Sequence, residues 1–358
     1  MTIASLLAVL LISPQEPLLE KAWEVEFDQF VLGAPLVQET LAIAASRTGL
    51  IKAVIVETGA PGWEFQADAG PLTRMAIQRN QLFVPAGARS AMLDPVSGKV
   101  RKKNAFLAGR IVSGESRLYL SSGYSFDGAS YLLTGSDDVA CLDPLAAKEL
   151  WKVNCSPKKV SSVVEGGGRV FLAGEDQIEA IDNRNGKRVG LAERANKGWP
   201  LHGLVVGQKL IYVQGGSKEV VCYDAKTLKE LWTWEGRKRQ DAGFIPPLLV
   251  GDKLILFPLP EVVCLDTKNG KDVWTLALEG TAEYSESPPA VRGKEVTVGM
   301  NGKVMSFDVA GKATWTFEGA KSETNPRAHQ PVWAGDRLLY AVGTKLYCFK
   351  PRESPVTK

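Results

Sequence analysis

Val262–Trp274, VVCLDTKNGKDVW, carries the pattern that decides the fold. An apolar pair, a small residue and a large apolar residue lead to an Asp, then a short turn, then a Trp. The order recurs at Val220–Trp232 (VVCYDAKTLKELW), Val304–Trp315 (VMSFDVAGKATW) and Val139–Trp151 (VACLDPLAAKELW). Met92–Lys102 and Ile178–Gly190 keep the Asp without the Trp, and Ala53–Trp63 keeps the Trp without the Asp. In register, the Asp slot falls at Ile55, Asp94, Asp143, Asp182, Asp224, Asp266, Asp308 and Lys350, and the Trp slot at Trp23, Trp63, Lys102, Trp151, Gly190, Trp232, Trp274 and Trp315. Successive Asp slots lie 39, 49, 39, 42, 42, 42 and 42 residues apart, so eight units of similar length fill the chain. A fixed period of this size marks a repeat architecture.

The rest of each unit is as regular. Ile245–Phe257, IPPLLVGDKLILF, reads as a strand, a Gly-Asp turn and a second strand. Leu204–Val213, Pro288–Val298 and Pro331–Ala341 repeat it, and no segment sustains helical periodicity. Adding the strand that ends at the Asp slot and the one that holds the Trp gives four strands per unit. The expected fold is all-β, an eight-bladed β-propeller of four-stranded antiparallel blades. The chain opens on an outer-type strand at Trp23 (AWEVEF) and closes on a third-type strand at Leu346–Phe349 (LYCF). These two strands are therefore expected to pair in the last blade and close the ring, which removes the open edges of an array.

Residues 17–351 are expected to form this single propeller, with 352–358 as a tail. Thr2–Ile12, TIASLLAVLLI, is apolar but too short to span a bilayer. It is preceded by no Lys or Arg and followed by no A-x-A pattern, so residues 1–16 read as an atypical signal segment, with a misassigned start or a leading strand as the alternatives. That reading places the protein in the periplasm or cell envelope, with no transmembrane span. No cysteine follows the segment to take a lipid anchor.

Each recurring residue has a structural reason. The Asp carboxylate can accept backbone N–H groups of the turn that follows. Gly98, Gly186 and Gly270, four residues on, supply the positive φ of a bulged hairpin. The Trp is large enough to cover the seam between neighbouring blades. Trp23, Trp63, Trp151, Trp232, Trp274 and Trp315 are thus docking residues, and Asp94, Asp143, Asp182, Asp224, Asp266 and Asp308 turn residues. Cys141, Cys222, Cys264 and Cys348 sit two residues before the Asp slot, where a compact apolar side chain packs.

Composition and motifs narrow the function. The net charge of +3 is too small to point to nucleic acid. Five cysteines without a CxxC, and only two histidines, argue against zinc. No Ser/His/Asp set, supported carboxylate pair or phosphate loop occurs, so no catalytic, cofactor-binding or metal residue is expected. Connections between second and third strands, and between units, are longer and more varied than the turns. Candidate partner contacts lie there: Tyr124 and Phe126 within Ser121–Ser130, and the basic run Arg237, Lys238 and Arg239. The second strand of the third unit reads equally well as 117–121 or 130–134. His202 and His329 stand near inner-strand starts and read as structural.

The Asp-x-x-x-Gly-x-x-x-Trp spacing of Asp266, Gly270 and Trp274 resembles the pyrroloquinoline-quinone-like repeat. That family includes quinoprotein alcohol and glucose dehydrogenases and BamB-type outer-membrane assembly lipoproteins. The resemblance to the first would imply an adjacent Cys-Cys pair and a calcium set of Glu, Asn and Asp; no Cys-Cys pair occurs here. A short single propeller is closer to the second, whose lipid-bearing cysteine is also missing. The resemblance therefore implies a monomeric, non-enzymatic scaffold for a protein partner in the cell envelope, possessing no cofactor. The alternatives it leaves are an oxidoreductase using pyrroloquinoline quinone with calcium, or a sensor of a small ligand or glycan in the central funnel.

Overall fold

The computed structural model describes residues 19–67, 75–84, 90–103, 110–113, 118–121, 138–143, 145, 148–156, 160, 162–174, 177–193, 201–207, 210–215, 219–236, 247–258, 261–277, 289–300, 303–318 and 330–352. The described strands sort into eight four-stranded antiparallel sheets. In chain order these are sheet 1 (36–66), sheet 2 (76–103), sheet 3 (110–154), sheet 4 (162–193), sheet 5 (201–235), sheet 6 (248–277) and sheet 7 (290–318). Sheet 8 combines three C-terminal strands within 332–351 with the N-terminal strand Leu19–Glu26, which pairs with Lys345–Pro351. The chain is an all-β propeller whose blades are four-stranded antiparallel sheets.

The core lies in the seams between sheets. Ile43 and Ile51 of sheet 1 pack with Leu82 and Leu93 of sheet 2, and Ile255 and Cys264 of sheet 6 with Val296 and Phe307 of sheet 7. Sheet 8 packs on both sides: Tyr340 and Phe349 meet Val304 and Trp315 of sheet 7, while Leu339 and Cys348 meet Ala42 and Val54 of sheet 1. This explains why third strands read as continuous apolar runs: they are covered on both faces, as in a stack of packed sheets.

One register shift is built into every unit. The Trp slot always pairs with the residue two before the Asp slot, as in Cys222↔Trp232, Cys264↔Trp274 and Ala180↔Gly190. A β-bulge follows at once, leaving the residue before the Trp slot unpaired on the outer strand. In sheet 3 the second strand is Leu118–Ser121, which settles the two readings of that unit.

Candidate functional site

The antiparallel meander puts the turns between first and second, and between third and fourth, strands on one face of the propeller. On this turn face the six slot aspartates work as local anchors. Asp94 Oδ1 accepts the backbone N–H of Val96 and of Ser97, both at 2.9 Å. Asp143, Asp182, Asp224, Asp266 and Asp308 accept the N–H two residues on at 2.7–3.1 Å. The N–H of Ser97 and the Arg101 guanidinium pull the Asp94 carboxyl down to about 2. The Arg184 side chain, then its backbone N–H, bring Asp182 to about 2.

The Trp slots reach across the seam to the next sheet. The indole N–H of Trp63 donates to the Pro95 carbonyl (3.1 Å), Trp151 to Asn183 (2.9 Å), Trp232 to Thr267 (3.1 Å), Trp274 to Val309 (3.0 Å) and Trp23 to Val56 (2.9 Å). In each case the acceptor is the residue just after the neighbour's Asp slot. The ring then lies on the neighbour's turn glycine. A Cβ on Gly270 would sit 2.5 Å from the Trp232 ring, and one on Gly98 2.6 Å from Trp63. These glycines are needed twice over, for their positive φ of 67° and 69° and for the space their missing side chains leave.

Sheet 4 breaks the rule and mends it. Gly190 holds its Trp slot, and Leu228 takes the glycine position of sheet 5 at φ 56°. A Cβ on Gly190 would stand 2.9 Å from the Leu228 Cδ1. Bulk has moved from one side of the seam to the other, and Leu228 is buried. Trp315 departs for another reason. Its neighbour, sheet 8, joins the two chain ends and so has no turn between third and fourth strands to offer a carbonyl. Its indole donates instead to Glu295 Oε1 (2.6 Å), which also accepts from Ser306 Oγ (2.8 Å).

Two further features of the turn face lie outside the Asp and Trp slots. A lysine follows the slot Asp by five residues at Lys99, Lys148, Lys187, Lys229 and Lys271, and by four at Lys312. All six are exposed, and among the described residues none forms an ion pair. The unpaired bulge residue is an exposed aliphatic in four successive sheets, at Leu150, Val189, Leu231 and Val273. On the same face a depression of about 380 Å³ is lined by Gly167, Gly168, Arg169, Asp182, Arg184 and Val189. The signal for the lysines was the Lys-x-x-Trp ending of each quoted repeat.

Tyr124, Phe126, Arg237, Lys238, Arg239 and His329 lie outside the described residues. His202 belongs to the strand Leu201–Val206. The five cysteines are buried and none is in a disulfide, and burial pushes the Cys222 thiol up to about 12 and Cys264 and Cys348 to about 11. Among the described residues, no group of three or more His, Cys, Asp and Glu is placed to hold a metal. No described helix is long and apolar enough to cross a membrane.

Residues 20–123, 105–189, 177–257 and 234–356 each match the family described as outer membrane protein assembly factor BamB. The chain belongs to the BamB family. A BamB protein of Pseudomonas aeruginosa, named outer membrane protein assembly factor, is 27% identical over 206 residues. That match covers 53% of this chain and 51% of the relative, about half the length of each. The crystal structure of BamB from Moraxella catarrhalis superposes with a TM-score of 0.70 at 15% identity, over 93% of this chain and 99% of that one. A quinohemoprotein alcohol dehydrogenase of Pseudomonas putida superposes with a TM-score of 0.68 at 11% identity, over 97% of this chain and 79% of that one. At such identities the two solved structures share the BamB-type fold with this chain, and fold alone does not carry function.

Proposed function

We propose that the protein is a non-catalytic, protein-binding scaffold of the bacterial cell envelope that serves outer-membrane protein assembly. The observation that carries this reading is the BamB-family match, which extends from residue 20 to residue 356. Burial supports it, because it raises the Cys222, Cys264 and Cys348 thiols and so disfavours the thiolates that would act as nucleophiles. In this reading residues 17–351 are one domain, the eight sheets form a single closed ring, and the molecule is a monomer. The pairing of Leu19–Glu26 with Lys345–Pro351 and the Arg337–Glu57 ion pair between sheets 8 and 1 support closure.

We assign partner contacts to the connections between second and third strands and between sheets, which in the sequence hold Tyr124, Phe126 and the Arg237–Arg239 run. Crosslinking in the native envelope followed by mass spectrometry tests the assignment. An outer-membrane assembly component captured by the native chain, and lost on Arg237→Glu with Arg239→Glu, supports it. Capture that is unchanged in the double variant removes those residues from the interface. Reconstitution with pyrroloquinoline quinone and calcium is expected to give no bound quinone absorbance and no dye-linked oxidation; either signal would overturn the non-catalytic reading.

A further inference from the structure

The turn face has a chemistry that the scaffold reading does not use. Lys99, Lys148, Lys187, Lys229, Lys271 and Lys312 occupy equivalent positions in six successive sheets, so they lie at one level around the propeller. Of the acids next to them in the chain, Asp272 and Glu230 are engaged elsewhere, while Glu149 is exposed beside Lys148. The slot carboxylates accept turn N–H groups, Asp272 accepts the Trp234 indole N–H at 2.8 Å, and Glu230 accepts the Thr233 hydroxyl at 2.9 Å. Lys226 and Lys268 add exposed cations on the same turns, and Lys294 adds one on the first-to-second-strand turn of sheet 7, where sheet 6 carries the ion pair of Asp252 and Lys253.

Exposed aliphatic side chains share this face. Val96 and Leu145 project from the turns, and Leu150, Val189, Leu231 and Val273 occupy the bulges two residues after a crown lysine. Leu145 and Leu231 are more than half exposed, at 53% and 51%. Aliphatic groups set singly between cations, on a level ring, fit a flat surface with an anionic outer layer and an apolar interior. A protein partner fits less well: protein interfaces are depleted in Lys and anchored by aromatic residues. No aromatic is among the exposed large apolar residues described.

We propose that the turn face of sheets 2–7 docks peripherally on an anionic lipid bilayer. The lysine crown meets headgroup phosphates, and the bulge aliphatics enter the headgroup–acyl boundary. Attraction of each lysine to such a surface is additive and is screened by salt, while burial of each aliphatic is not. This inference is independent of the assembly reading.

The test is flotation of the full chain with vesicles of phosphatidylethanolamine and phosphatidylglycerol, against vesicles of phosphatidylcholine alone. Binding is expected to the anionic vesicles only, and to fall at least tenfold between 50 mM and 500 mM salt, about the change in screening length from beyond 10 Å to a few Å. Lys229→Glu with Lys271→Glu is expected to weaken partition by about tenfold or more. Leu231→Ser with Val273→Ser is expected to weaken it about threefold or more without changing its salt dependence. Lys303→Glu, on the opposite face, should leave it unchanged. Both double variants alter exposed side chains, and circular dichroism and thermal melts matching the native chain establish that they fold. Absence of binding to anionic vesicles at 50 mM salt, or equal binding by the lysine variant, overturns the proposal. So does binding of the lysine crown to a soluble acidic polypeptide but not to vesicles, which would make its partner a protein.

Discussion

Substituting Gly270 by Ala tests whether the Trp-on-glycine contact is the lock between sheets. The new Cβ would stand 2.5 Å from Trp232 Cε3 at a backbone φ of 67°. A left-handed Ala costs about 1–2 kcal/mol, and the overpacked methyl a further 1–3 kcal/mol or so. The single variant should therefore lose roughly 2–5 kcal/mol. Trp232→Ala alone removes a half-buried ring and its hydrogen bond to the Thr267 carbonyl, for about 3–5 kcal/mol. With the ring gone, the methyl added by Gly270→Ala enters vacated space and only the backbone cost remains. The double variant should thus be more stable than the sum of the singles by about 1–3 kcal/mol. Urea unfolding of the four proteins, followed by both circular dichroism and fluorescence, measures this cycle; coincident curves license the two-state analysis. A coupling below about 0.5 kcal/mol would refute the lock, because the two residues would then behave as independent sites.

Moving bulk back across the seam of sheets 4 and 5 should show the same complementarity: Gly190→Trp and Leu228→Gly each destabilise, and together they recover at least half of the summed loss in urea midpoint. Asp94→Ala should lower stability at neutral pH. The Asp94 carboxyl ionises at about 2 when folded against an ordinary 3.8, so its contribution is whole above about pH 4 and fades between pH 4 and 2. Melting temperatures of native chain and variant should accordingly converge near pH 2; a constant gap would refute the turn role. The Cys222, Cys264 and Cys348 thiols should resist a disulfide reagent at pH 8 until urea unfolds the chain, since burial raises all three; rapid modification of the native protein would contradict their burial. Glu295→Ala should cost more than Glu295→Gln by about 1–3 kcal/mol, because only Gln keeps an acceptor for the Trp315 indole; equal losses would show that the bond contributes nothing.

The repeat made the strands legible because the Asp slot and Trp slot mark the end of one strand and the middle of the next. Even the missing members held their places: Ile55, Lys102 and Gly190 all fall where the slots require. The pairing of Trp23 with Cys348 was likewise readable, since the phases of the two chain ends leave one strand wanting and one spare. The compensation at Leu228 was not. Its partner Gly190 is 38 positions earlier, and only packing across a seam relates them. The Trp315–Glu295 bond was hidden for a similar reason, because it follows from a turn that sheet 8 lacks rather than from any motif. The bulge aliphatics were equally illegible, because an alternating pattern says which side of a strand is covered, whereas a bulge shifts that phase by one residue.

These exceptions share one cause. A sheet in this protein does not own its core; each core cluster is made by two neighbours. Two different pairs fill the seam here, Trp on Gly and Gly under Leu. Sheet 8 must satisfy the same geometry with strands from opposite ends of the chain, so its missing turn has to be answered from within sheet 7. Since the seams supply the packing, the turns and connections on the two faces need only close their own backbone hydrogen bonds. That freedom lets one face vary in length and composition while the other keeps a lysine in the same place through six successive sheets. A turn that needs only an Asp acceptor and a positive φ gives no structural reason for that lysine, and all six of these lysines are exposed.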